Sequence, residues 1–268
     1  MVIGLTIILD TIEYLNFAHG VYFTFGAYLV WYLLNITQIN FWIAIIILIP
    51  SAFLLGYLTQ RFIIQRLVNK EASSLVLILA TFCIGSIIES IILIIFGGRI
   101  KMLTPPFEGF VDIAGATMSY HKILIFGSTM LLMAIFTFIL YKTKNGIAMR
   151  SIAQDREVSY LMGINVGQIY AIIVGLSAIL ACLGGWLMGS LIFLTPTFGG
   201  DILWKGFIVV TLAGRRAGLR GSLFSSFFVA FVETALQRYL PMYNVPPILF
   251  AIVIAGLLIK PEGLFQRK

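Results

Sequence analysis

An all-α, polytopic transmembrane helical bundle of about eight membrane segments is the fold class that the sequence predicts. Three observations predict it. Hydrophobic residues make up 60% of the chain and charged residues 11%, against roughly 45–50% and about 25% in a soluble domain. The mean hydropathy is +1.03. The apolar residues also come in long blocks, not in the alternation of β-barrel strands. A water-soluble enzyme is thereby excluded. At roughly 20 residues per span, 268 residues leave room for about seven or eight crossings.

From the N-terminus, residues 1–9 form an apolar stub too short to span, followed by Asp10 and Glu13. Met1 opens straight into Val2-Ile3-Gly4-Leu5 with no basic flank, so no cleavable signal pattern is expected. Apolar runs then follow at 20–38, 41–59, 74–96, 122–141, 167–190, 202–214, 221–238 and 246–259. The runs at 202–214 and 246–259 are short, since thirteen helical residues reach only about 20 Å against a hydrocarbon core of about 30 Å. The Gly- and Pro-rich stretch from Leu194 through Pro196 to Gly200 precedes 202–214 and predicts a half-helix or re-entrant element there. Cys83 and Cys182 both fall inside apolar blocks and build no disulfide framework. No tandem repeat and no long polar stretch is visible, so residues 1–268 are read as one membrane domain.

The net charge of +7 is explained by where the basic residues lie. Thirteen of the 18 fall in four segments: Arg61, Arg66 and Lys70; Lys142, Lys144, Arg150 and Arg156; Arg215, Arg216 and Arg220; and Lys260, Arg267 and Lys268. Alternate crossing puts all four on one face, which the positive-inside rule makes cytoplasmic, the C-terminus included. Loop 97–121 and segment 191–201 then face outward. The charge belongs to inside-facing loops, and no nucleic-acid surface is expected.

Polar groups inside apolar runs are the next signal. Glu89 lies well within 74–96, where an acidic side chain near mid-bilayer costs at least about 2.5–3.5 kcal/mol. It either lines a translocation path or stands neutral and hydrogen-bonded between helices. Glu233 has the same two readings, with Arg238 close by as a local partner. Lys205 follows Asp201 at four residues, which suits a local ion pair at a helix start, although a half-helix N-terminus also attracts carboxylates. Asn16 and His19 share a face if their stretch is helical, and interhelical hydrogen bonding is the simpler reading. His121 stands apart in an outer loop, and one histidine beside a glycine makes no metal site.

Catalytic patterns are missing. The chain has no Gly-rich phosphate loop ending in Gly-Lys-Ser/Thr, no paired His–Glu zinc spacing and no Gly-x-Ser-x-Gly elbow. If transport here is driven, the motor lies in another chain. The loop 142–166 is too polar for the bilayer. Met149, Ile152, Ala153 and Tyr160 recur at helical spacing within it, and Gly163 is placed as a helix stop. A short helix across the inner face is expected, either docking in a groove of another protein or simply connecting two spans.

Four motifs, in order and at compatible spacing, resemble one known family. Asn16-Phe17-Ala18-His19-Gly20 with Gly26-Ala27-Tyr28 opens the chain. Ala153-Gln154-Asp155-Arg156-Glu157 with Leu161-Met162-Gly163-Ile164-Asn165 lies in the polar loop. Pro196-Thr197 with Lys205 and Phe207, and the ending from Lys260 to Phe265, complete the set. Over nearly the whole chain these resemble the permease subunits of branched-chain amino-acid ABC importers, and the first two resemble the leucine/isoleucine/valine H-type.

The resemblance implies a second permease subunit, two cytoplasmic ABC ATPases that bind ATP and Mg, an extracytoplasmic substrate-binding protein, and the cell membrane of a prokaryote. It implies no cofactor in this chain. It also implies that 142–166 is a coupling loop, with Ala153, Gln154, Asp155, Arg156, Glu157, Leu161, Met162 and Gly163 contacting an ATPase. Asn16, His19, Glu89, Pro196 and Lys205 become candidates for the translocation pathway. The chain departs from the family pattern at the altered Gly-rich turn 212–221, at Glu89, and in a first helix that 1–19 only partly supplies. A permease for urea or short amides would share these motifs. An uncoupled channel or secondary transporter, and a non-transporting remnant subunit, are the remaining alternatives.

Overall fold

The computed structural model describes residues 1–104, 109–113, 116–214, 217–260 and 263. All eight apolar runs are helical: Ala18–Asn35 (α2), Phe41–Leu58 (α3), Ser74–Phe96 (α5), Tyr120–Lys142 (α6), Val166–Gly189 (α9), Phe198–Ala213 (α10), Gly218–Tyr239 (α11) and Val245–Ile259 (α12). The expected stub is the helix Val2–Ile12 (α1). α3 continues through a π-helical turn, Thr59–Ile64, into Gln65–Asn69 (α4), so that Phe41–Asn69 is one rod of 29 residues. The polar loop holds Lys144–Gln154 (α7) and Arg156–Leu161 (α8).

Five helical stretches among the described residues are long and apolar enough to cross a membrane: Phe41–Asn69, Ser74–Phe96, Tyr120–Lys142, Val166–Gly189 and Gly218–Tyr239. The other three runs fall short for physical reasons. α2 carries His19, three glycines or alanines in its first half and several tyrosines, which lower its apolar character. α10 and α12, at 16 and 15 residues, rise only about 24 Å. α10 begins four residues earlier than the expected 202, because Gly199 and Gly200 are taken into its first turn.

The core is built around α2 and α9, which are buried along most of their length. Glycine lets them approach closely. A methyl group at Gly26 would collide with the Cys182 backbone, and one at Gly185 with the Phe23 carbonyl. On the other side of α9, a Cβ at Gly56 of α3 would stand 2.6 Å from the Ala178 Cβ and the Val174 carbonyl oxygen. Small residues at such crossings are what membrane helices use in place of a hydrophobic driving force. Smaller apolar clusters join α10, α11 and α12 through Ile208, Val209, Val229, Leu249 and Val253, and α1 to α10 through Leu5 and Phe207. The outer helices expose large apolar side chains such as Ile94, Leu131 and Phe231, as a lipid-facing surface requires.

Two loops differ from expectation. Segment 97–121 contains an antiparallel hairpin, Phe110–Ile113 (β1) with Ala116–Ser119 (β2), in which Phe110 faces Ser119. Lys101 exchanges backbone hydrogen bonds with Leu194, and its ammonium lies 4.0 Å from the centre of the Trp31 ring. His121, expected in this loop, instead stands buried in the first turn of α6. Its Nε2 lies 2.5 Å from Ser190 Oγ. Arg215 and Arg216 of the altered turn 212–221, together with 261–262 and 264–268 of the C-terminal motif, lie outside the described residues.

Candidate coupling and translocation sites

The short helix expected within the loop 142–166 is two helices, α7 and α8. Asp155 breaks it with an extended backbone (φ −153°, ψ 114°), and its carboxylate accepts from the Val158 N–H at 3.0 Å, capping α8. A hydrogen-bonding side chain at this point satisfies a free N–H of a new helix instead of continuing the old one. α7 is anchored: Met149 and Ile152 are buried in the main core. α8 is not. Leu161 is 83% exposed and Met162 78%, with Val158 and Tyr160 also exposed.

Gly163 ends α8 as placed by the sequence. It has φ +82°, its N–H donates to the Tyr160 carbonyl at 3.0 Å, and Ile164 N–H donates to the Ser159 carbonyl at 3.1 Å. This is the paired closing pattern that satisfies the last carbonyls of a helix. Ala153 and Gln154 close α7, Ala153 half-buried and Gln154 exposed; Arg156 and Glu157 open α8. The Arg156 guanidinium lies 5.8 Å from the Tyr170 ring centre.

Between α8 and the bundle lies a cavity of about 1440 Å³, which includes Glu13, Arg61, Gln65, Arg156, Glu157 and Tyr170 in its lining. Sequence reasoning did not find it, because its walls come from three distant segments, 12–14, 61–77 and 156–170. At its edge the Tyr14 hydroxyl donates to Gln60 Oε1 at 2.9 Å.

The five pathway candidates separate into two groups. Asn16, His19 and Pro196 are buried. Asn16 Oδ1 accepts from the Ala18 N–H at 3.0 Å and so holds the start of α2. His19 is 0% exposed; its Nδ1 lies 3.3 Å from Ser177 Oγ of α9 and its Nε2 3.2 Å from the Met1 carbonyl oxygen. Interhelical hydrogen bonding, the simpler reading, is what the structure shows for it. Pro196 lies in the turn that leads α10 onto α2, where the Gly199 N–H donates to Thr24 Oγ1 at 2.8 Å and Gly199 meets the Gly20 carbonyl.

Glu89 and Lys205 lie nearer the surface. Glu89 is half-buried on α5 and has no ion-pair or hydrogen-bond partner among the described residues. Two turns before it, Phe82 packs on Phe17, which also meets Trp204 and Phe207 of α10. Lys205 does not pair with Asp201, and Glu233 does not pair with Arg238. The two pair with each other instead, Nζ to Oε1 at 2.5 Å, and Gln237 Nε2 adds a bond to the same oxygen at 3.3 Å. The pair bridges α10 and α11 with the Lys205 side chain half exposed and that of Glu233 more sheltered.

A bundle of apolar helices, with ionisable groups set into its spans and a capped amphipathic segment projecting from one end, defines a multi-pass membrane transport protein. The chain belongs to the family described as the permease component of branched-chain amino acid transport systems, whose model matches residues 1–260. It is thus an ABC-type transport permease subunit, not an enzyme. A probable branched-chain amino acid transport permease protein, LivH, of Methanocaldococcus jannaschii is 26% identical to it over 98% of this chain and 87% of the relative. The high-affinity permease protein LivH of Escherichia coli is 23% identical over 99% and 90%. Pseudomonas aeruginosa BraD, also named a high-affinity branched-chain amino acid permease protein, is 24% identical over 99% and 90%. No solved structure matches the chain.

Proposed function

We propose that the chain, as one membrane domain, forms half of the translocation pathway of an ATP-driven importer for branched-chain or related amino acids. A second permease subunit completes the pathway, two cytoplasmic ATPases binding ATP and Mg drive it, and an extracytoplasmic binding protein delivers the substrate. The observation that carries this reading is α8, a capped helix with an exposed apolar face on a segment whose other half is locked into the core. Exposed large apolar side chains clustered at one place mark interaction sites. The cavity behind α8 leaves room for it to be displaced, and α7 is positioned to pass that displacement to α6 and α9.

Orientation follows from charge. Arg61, Arg66, Lys70, Lys142, Lys144, Arg150 and Arg156 all lie in the segments at the α8 end, which supports a cytoplasmic placement of that end in the cell membrane of a prokaryote. The C-terminus is assigned to the same side.

Reconstitution with the two ATPases tests the docking. Glu157→Arg and Gly163→Pro change α8 and its stop without touching the core. Each is expected to lower substrate-stimulated ATP hydrolysis by about tenfold, the equivalent of about 1.4 kcal/mol of lost docking. Glu157→Arg should do so at unchanged thermal stability, whereas Gly163→Pro, which can neither adopt φ +82° nor donate to Tyr160, also loosens the end of α8. Full coupling in both variants would remove α8 from the ATPase interface.

A further inference from the structure

A second cavity, of about 490 Å³, opens between α10, α11 and the start of α12. Its volume lies within the range of about 300–1,000 Å³ typical of small-molecule sites. Three of its lining residues are charged, Asp201, Lys205 and Glu233, and much of the rest of the wall is apolar, including Trp204, Leu249 and Phe250. Charges set into membrane helices are expensive and rarely serve packing alone.

The hydrogen-bonding capacity of the three is not used up. The Lys205 ammonium has three donors, and one goes to Glu233 Oε1. Both hydrogen bonds to Glu233 fall on Oε1, so Oε2 accepts none among the described residues. Asp201, four residues before Lys205 in the first turn of α10, has no hydrogen-bond or ion-pair partner among the described residues. A brace between α10 and α11 would need only the pair. The open carboxylate and the cavity beside it are unexplained by bracing.

One cation beside two carboxylates, facing an aromatic and aliphatic wall, matches a ligand with one carboxylate, one ammonium and a short apolar side chain. We propose that this cavity is a binding subsite for an aliphatic α-amino acid in its zwitterionic form. Asp201 and Glu233 take the ammonium, Lys205 takes the carboxylate, and Trp204, Leu249 and Phe250 surround the side chain. The inference rests on the permease reading for its place on a transport route, while the binding itself is a property of this chain.

The test is equilibrium binding of radiolabelled leucine to the full chain with its partner permease and ATPases, in nanodiscs, without ATP and without any binding protein. Leucine is expected to bind. Isovalerate and isopentylamine, which each lack one of its charges, are expected to compete at least about tenfold more weakly than isoleucine, the loss of one charge-assisted hydrogen bond. Asp201→Asn, which disturbs no partner, should raise the leucine Kd by about tenfold. The double variant Lys205→Met, Glu233→Gln removes the pair as a unit and should raise it further. Absence of leucine binding overturns the proposal. So does an unchanged Kd in both variants, or equal competition by the single-charge analogues. ATP-driven uptake by the same unaltered assembly, placed in proteoliposomes and supplied with the binding protein, is scored separately. Its absence contradicts the permease reading, whereas retained uptake with an unchanged Kd in the variants contradicts only the subsite.

Discussion

His19 shows what a polar residue does in an apolar bundle. Fully buried where α1, α2 and α9 meet, it holds Ser177 on one side and the Met1 carbonyl on the other. Replacement by alanine takes the partner from Ser177, leaves the Met1 carbonyl only its bond from the Leu5 N–H, and removes packing as well. His19→Ala is expected to destabilise the fold by about 1–3 kcal/mol, measured as a lower midpoint for loss of monodisperse protein on heating in detergent. Gly26 is a stricter case. A side chain there meets the Cys182 backbone, which has no rotamer to yield, so Gly26→Leu should abolish the monodisperse folded protein altogether. Asn16 and His19, read from their spacing as sharing a face, have different roles: Asn16 precedes α2 and holds its start, and His19 bonds across to α9. The Lys205–Glu233 pair was not, because 28 residues and the rotation of two helices separate its members. Local sequence offered Asp201 and Arg238 as nearer partners, and neither is used.

Helices are the level at which the sequence was most readable. Each apolar run became a helix with ends displaced by a few residues, because unbroken hydrophobic blocks have one stable form in a membrane. Polar segments were harder. The run from Met149 to Tyr160 has a helical period, yet Asp155 ends one helix and caps the next. Its two functions depend on whether its carboxylate finds the Val158 N–H, which periodicity does not report. Asp155→Ala should cost about 1 kcal/mol of local stability and speed amide hydrogen exchange across 156–161, with exchange in α9 unchanged. Equal protection of 156–161 in the variant would show that the cap does not hold α8. The hairpin at 110–119 escaped notice because its two strands are only four residues each. The large cavity behind α8 escaped because its lining comes together only in three dimensions.

For the molecule as a whole, the 60% of the chain that is hydrophobic makes the bundle, and a small set of charged residues marks where it acts. α8 at one end leaves an apolar face exposed. Lys205, Glu233 and Asp201 line a cavity between α10, α11 and α12, and Glu89 stands on α5 without a partner among the described residues. Five helical stretches among the described residues stand as spans on length and apolarity, and α1 is part of the core. The central claim is ATP-driven transport through this subunit. Proteoliposomes containing this chain, its partner permease and the two ATPases, supplied with the binding protein and radiolabelled leucine, test it most directly. The account predicts that leucine accumulates above its external concentration only when ATP is hydrolysed, and that Glu157→Arg slows the accumulation by about tenfold. Leucine that merely equilibrates across the membrane, at the same rate with and without ATP, would contradict it.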